Sequence, residues 1–231
     1  MNEHHERGHG DHYGHLNHGD VGDAGHCRAG HAPADWDALY AESDRIWSGN
    51  PNGALVSEAT GLTPGTALDV GCGEGADAIW LAQQGWQVTA IDVSSVALDR
   101  ARAHGEGAGV AVDWQVTSFM GMPSRDSRFD LVIAFYAALV KDGGATLSTL
   151  LDAVAPGGTL LFVHHADVDR EQALEHGFNP DHFLDVAEVA SALDRGWTID
   201  VHEIRDRDID GGAGQHHTRD VVLRALRSPV L

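Results

Sequence analysis

Basic side chains and cysteines are both scarce in this chain. Fifteen Lys and Arg stand against thirty-five Asp and Glu in 231 residues, a formal charge of −20. Nucleic-acid affinity rests on cationic side chains displacing counterions from phosphates, so a nucleic-acid partner is not expected. The cysteines, Cys27 and Cys72, are too few and too differently placed for a disulfide framework. No apolar run reaches membrane-spanning length; the longest candidate, Leu131 to Val140, is strand-sized. The N-terminus is polar and shows no apolar h-region, so no secretory signal is read, and a soluble cytoplasmic protein with no membrane partner is the expectation.

What the chain does have is enough apolar residue, 42%, to build a core, and a length suited to one α/β domain with extra elements. Residues 1–32 form a separate compositional zone. Eight of the sixteen histidines lie there, spaced by Gly, Asp and Asn, with almost nothing apolar to bury. That zone is expected to be a disordered tail that binds divalent metal adventitiously, with Cys27 beside His26 as a softer ligand. The folded domain is expected over 33–231. Helical spacing of Trp36, Leu39, Tyr40 and Ile46 predicts a helix from Ala34 to Ile46, and a second short one runs from Ala54 to Thr60.

Beyond Pro64, strands and helices alternate. Strands are predicted at Ala67–Val70, Gln87–Asp92, Val110–Thr117, Phe129–Phe135, Thr159–His164, Thr198–Ile204 and Thr218–Leu226. Helices are predicted at Ala76–Gln84, from Ser94 to about Ala103, at Gly144–Val154 and from about Phe183 to Leu193. Alternation of this kind gives a parallel sheet with helices on both faces. The last two strands, separated by the turn Asp210-Gly211-Gly212, predict an antiparallel hairpin at one edge.

Leu68-Asp69-Val70-Gly71-Cys72-Gly73-Glu74-Gly75 follows a strand and opens a helix. Glycines there let the backbone approach a ligand closely, and the helix N-terminus offers unpaired N–H groups. Asp92 ends the second strand, where a carboxylate can accept from both hydroxyls of a ribose. The spacing is G-x-G-x-G rather than the dinucleotide G-x-G-x-x-G, which ranks a nicotinamide dehydrogenase well below the alternatives. Together with Phe129-Asp130-Leu131-Val132 and Ala155-Pro156-Gly157-Gly158-Thr159-Leu160, these residues resemble the class I S-adenosylmethionine methyltransferases over roughly Trp36 to Ala225.

The resemblance implies a Rossmann-like, doubly wound seven-stranded sheet, mostly parallel with an antiparallel last strand. It implies S-adenosylmethionine as cofactor. Gly71, Cys72 and Gly73 would line its methionine moiety, Asp69 would hold the ammonium, Asp92 the ribose, and Val93 the adenine. The family often has an Asp after the third strand; Thr117-Ser118-Phe119 stands there instead, leaving Ser118 and Phe119 for the adenine. Phe135, closing the fourth strand, is counted with the cofactor contacts.

Residues 33–62 are similar to the N-terminal lid of small-molecule methyltransferases of the tellurite-resistance and thiopurine groups. Trp36 and Tyr40 read as a helix face packed on the core, while Trp47, in the loop Trp47 to Asn52, is the better candidate for a substrate contact. In the family's topology the end of strand five meets the beginning of strand seven, which carry His164-His165 and His216-His217. His165 is the candidate base or substrate contact, and His164 and His217 are candidate substrate contacts. Strand alternation lets only one of each pair face a given pocket. His176 and His182 are weaker candidates at the pocket border.

The expected function is therefore methyl transfer to a small-molecule acceptor by in-line displacement in a lid-covered pocket. A metal-sensing or buffering protein that uses the His-rich tail on the same fold is the alternative. No metal site is expected within the fold itself.

Overall fold

The computed structural model describes residues 33–122, 127–175, 178–207 and 217–229. The His-rich tail, His176, His216 and the turn at 210–212 lie outside the described residues. The elements are α1 (Pro33–Ala41), α2 (Gly53–Ala59), β1 (Thr66–Val70), α3 (Ala76–Gln83), β2 (Gln87–Asp92), α4 (Ser95–Ala108), β3 (Asp113–Val116), β4 (Phe129–Phe135), α5 (Ala145–Ala153), β5 (Val154–His165), α6 (Arg170–Glu175), α7 (Val186–Ala192), β6 (Trp197–Asp206) and β7 (Arg219–Arg227). Short 3₁₀ turns occupy Phe119–Gly121 and Pro180–His182.

The strands form one seven-stranded sheet in the order β3-β2-β1-β4-β5-β7-β6. The β3-β2-β1-β4-β5 pairings are parallel; β7 runs antiparallel to both β5 and β6, as the hairpin reading anticipates. Sheet order reverses between β1 and β4, so the C-terminal ends of β1, β2 and β4 converge on a crevice of the kind in which open α/β sheets bind ligands.

Alternation along β4 shows why these strands are almost wholly apolar. Leu131, Ile133 and Phe135 join one buried cluster with Leu55 of α2 and Ala78 and Leu81 of α3. Val132 and Ala134 join the other, with Leu150 of α5 and Val186 and Val189 of α7. A central strand buried on both faces is for that reason mostly apolar. Phe162 of β5 has no exposed surface. Phe162→Ala is expected to cost about 3–5 kcal/mol of stability in chemical denaturation, the usual range for emptying such a site; a loss under about 1 kcal/mol would contradict this packing.

Several boundaries differ from the sequence reading, each for a tertiary reason. The first helix ends at Ala41, not Ile46, because Arg100 on α4 takes the carbonyls of Tyr40 and Ser43. The fourth helix runs on to Ala108 through Gly105, where a Cβ would come within 3.3 Å of the Trp114 ring; glycine there lets strand and helix approach. Consequently β3 begins only at Asp113. Strand β5 begins at Val154, and the Pro156-Gly157-Gly158 segment is an irregularity within it. Its pairing register with β4 jumps from Phe129↔Val154 to Leu131↔Thr159. The last predicted helix starts at Val186, not Phe183, since Asp185 and Glu188 form a capping box, and α6 was not anticipated.

A candidate active site at the switch point

Gly71, Gly73 and Gly75 all take positive φ. At Gly73 (φ +52°) a Cβ would stand 2.8 Å from the Tyr40 hydroxyl, and at Gly75 (φ +84°) it would stand 2.7 Å from the Trp114 ring. The turn is thus bent in a way that only glycine adopts cheaply, and it is packed too closely for any side chain. It forms the floor of a cavity of about 340 Å³.

Every residue that the resemblance assigns to the cofactor lines this cavity: Asp69, Gly71, Cys72, Gly73, Asp92, Val93, Ser118, Phe119 and Phe135. The Asp92 carboxylate accepts from the Gly73 N–H at 2.9 Å and from the Ser94 N–H at 2.8 Å, tying the end of β2 to the turn after β1. Asp69 is buried, and its Oδ2 has no hydrogen-bond partner among the described residues. Burial raises the Asp69 carboxyl well above the ordinary range, helped by the carboxylates of Asp77 and Asp92. Burial also raises Asp92, and it pushes Asp77 up to about 6 despite hydrogen bonds from Asn52. Such a cluster of buried carboxyls is costly unless cationic or donor groups compensate it. The Ser118 hydroxyl accepts from Gly121 N–H, capping the 3₁₀ turn, so much of its bonding capacity serves the fold.

The N-terminal segment crosses this cavity and is fastened at three points. Asp37 accepts from the Ser94 hydroxyl at 2.7 Å and from Val96 N–H at 3.2 Å at the start of α4. Glu74, in the glycine turn itself, accepts from Ile46 N–H and, at 3.0 Å, Trp47 N–H, and pairs with Arg100 at 2.8 Å. Asn52 donates from its backbone and side chain to Asp77, both at 2.7 Å. Trp47 lines the cavity and donates its indole N–H to the Tyr40 hydroxyl at 3.0 Å. Tyr40 and Trp36 also line the cavity, Tyr40 while buried among the core residues. The carboxylates Glu74 and Asp77 were likewise missed; their place directly after G-x-G and in the first helical turn was the available signal.

At the opposite end, the histidine pairs separate. His165 lines the cavity, whereas His164 and His217 do not. His164 points to the other face of β5, where it meets Phe162 with ring centroids 5.1 Å apart. Burial lowers it to about 4, and its Nε2 has no partner among the described residues. His217 lies one layer behind the wall, stacked on His165 at 4.0 Å, with its Nδ1 3.2 Å from Asp167. His165 is stacked on its other side by Tyr136 at 4.1 Å. Burial, with His217 and Arg207 beside it, pushes His165 down to about 2. Its Nδ1 also lies 3.4 Å from Asp220 Oδ1. Tyr136 and Arg207 complete this wall and were not anticipated. His182 is exposed, 3.2 Å from the Asn179 side chain and off the cavity. Among the described residues no cluster of three or more His, Cys, Asp or Glu is arranged to hold a metal ion, and no helix is long and apolar enough to cross a membrane.

Comparison with known proteins bears on the family and the fold. A family model described as a methyltransferase domain matches residues 67–158. An uncharacterized methyltransferase of Mycobacterium bovis is 33% identical over 136 residues, 58% of this chain and 68% of that one. A ubiquinone biosynthesis O-methyltransferase of a Methylobacterium species is 37% identical over 94 residues, 40% of this chain; the chain spans only 38% of that enzyme's length. A solved structure concerned with conversion of a disulfide bond into a thioacetal group during echinomycin biosynthesis superposes with TM-score 0.66 at 27% identity, covering 85% of this chain and 92% of that one. The N-methyltransferase NodS of Bradyrhizobium japonicum, solved with S-adenosyl-L-homocysteine, shares the fold with TM-score 0.56 at 20% identity over 77% of this chain and 84% of that one. By its glycine turn, its sheet order and a relative matched over two thirds of its length, this chain belongs to the class I S-adenosylmethionine-dependent methyltransferases.

Proposed function

We propose that the protein transfers the methyl group of S-adenosylmethionine to a small-molecule acceptor, by in-line displacement, in the cavity beneath its N-terminal segment. The observation that carries the cofactor half of this reading is the buried Asp69 Oδ2, without a hydrogen-bond partner among the described residues, near the end of the strand that leads into a turn whose glycines leave no room for a Cβ. When bound, the cofactor supplies an electrophilic methyl group on a sulfonium sulfur. The chain's own residues hold and shield it. Asp69 offers a carboxylate to its ammonium, Asp92 accepts from the ribose hydroxyls, and Val93, Ser118 and Phe119 flank the adenine. Residues 33–62 act as the lid: Trp47 and Tyr40 stand over the turn, excluding water so that alignment supplies most of the acceleration.

The buried carboxyls give the reading a pH signature. A carboxyl raised in the folded protein stabilises it fully below its unfolded value, and that contribution is lost as pH rises through the raised value. Asp69, Asp77 and Asp92 therefore make the free protein less stable on going from acid through pH 6. A cationic ligand engages the ionised forms and offsets that loss, so its affinity moves the other way. Calorimetric titration with S-adenosylmethionine is expected to show affinity rising about tenfold from about pH 5 to about pH 7.5. Absence of binding at both pH values would refute the cofactor reading, and equal affinity would remove these carboxyls from the site.

A further inference from the structure

The two ends of the cavity differ in charge. Asp69, Glu74, Asp77 and Asp92 line the side nearest the glycine turn, while Arg207 is the only guanidinium or ammonium group among the described residues lining it. Arg207 is fixed in place. Its guanidinium lies 5.1 Å from the Tyr136 ring centroid, its Nε is 3.4 Å from Asp220 Oδ2, and its Nη1 donates to the His217 carbonyl at 3.0 Å. Asp220 does not itself line the cavity, so this ion pair presents its cationic member to that space. A positively charged group held rigidly before a ligand arrives loses little entropy on binding one.

Among the described residues, the titratable groups of this wall are engaged with one another. His165 is held between the Tyr136 and His217 rings, with its Nδ1 3.4 Å from Asp220 Oδ1, and burial disfavours its taking a proton. The Tyr136 hydroxyl donates to Asp220 Oδ2 at 2.8 Å, and burial raises it further from ionisation. Apolar side chains that line the cavity include Leu139, Val140 and Phe183, with Thr146 among the polar ones.

We propose that the acceptor is an apolar small molecule that enters already ionised, as a thiolate or oxyanion, with its charge set against Arg207 and that same group serving as nucleophile. This rests on the methyltransferase reading of the site. The step balances without a base. The anion's lone pair forms the bond to the methyl carbon, the carbon–sulfur bond of the donor breaks, and its electron pair stays on sulfur. The anionic charge and the sulfonium charge cancel, and no proton is released. Arg207 is then a substrate-binding, specificity-determining residue.

The test uses the full chain saturated with S-adenosylhomocysteine. Benzoate and benzenethiolate are titrated calorimetrically, with benzamide and thioanisole as their neutral counterparts. Each anion is expected to bind at least about tenfold tighter than its counterpart, as one well-placed charge-assisted contact gives. Arg207→Gln should erase that preference and Arg207→Lys should keep most of it, with affinity for S-adenosylhomocysteine unchanged in both. Neutral probes binding as well as anions, no binding of either anion, or a preference that survives Arg207→Gln would each overturn the proposal. So would Arg207→Gln losing the cofactor product instead, since that assigns Arg207 to the cofactor's own carboxylate. Failure of the native protein to bind S-adenosylhomocysteine at all would refute the methyltransferase reading, and this proposal with it.

Discussion

Asp92→Ala is expected to weaken S-adenosylmethionine binding by a hundredfold or more, about 2.7 kcal/mol. Two ribose hydroxyls donating to one carboxylate are charge-assisted hydrogen bonds, each worth about 1.5–3 kcal/mol. The side chain has a second duty, because it also holds the Gly73 and Ser94 N–H groups that shape the turn and start α4. Thermal unfolding of the free variant separates the two roles. A modest loss of stability with a large loss of affinity places Asp92 on the ligand. Affinity within about threefold of the native protein would remove it from the ribose site.

Glu74→Ala is expected to release the N-terminal segment. Glu74 is 4% exposed and sits where the glycine turn, Arg100 and the 46–47 backbone meet. Its removal leaves a partly buried guanidinium, itself tied to the Tyr40 and Ser43 carbonyls, without its carboxylate. It also leaves two backbone donors without their acceptor. Breaking one partner of a buried pair costs about 3–5 kcal/mol, and Arg100's partial exposure brings the expectation to the lower end of that range. Hydrogen exchange should show the Ile46 and Trp47 amides losing protection while the β4 amides keep theirs. Unchanged exchange at those two amides, with a melting temperature like the native one, would show that the segment is held by packing and not by this carboxylate.

How much of this could be read from the sequence depended on whether the determining interaction was local. The glycine turn, the strand alternation and the Ser94 cap, whose hydroxyl accepts from Ala97 N–H, are properties of consecutive residues, and the family resemblance that implied the sheet and the cofactor side of the cavity was read from such local motifs. The Asp185 and Glu188 capping box was equally local, and overlooking it put the start of the last helix too early. Tyr40, Arg100 and Glu74 belong to another class. Arg100 meets Glu74 across 26 residues and the Tyr40 carbonyl across 60, and nothing in the 33–46 segment says that the helix stops where a distant guanidinium takes its carbonyls. Arg207 and Tyr136 were hidden for the same reason, since only the β5-β7-β6 order brings them together beside His165. Alternation did indicate that His164 and His165 would part company, but not which of them would face the cavity.

The most direct test of the central claim is a crystal structure of the full chain with S-adenosylhomocysteine. The ribose hydroxyls are expected within about 3.2 Å of the Asp92 carboxylate, and the ammonium is expected on Asp69 Oδ2, directly or through one water. A ligand bound elsewhere, or bound over the turn with its ribose away from Asp92, would contradict it.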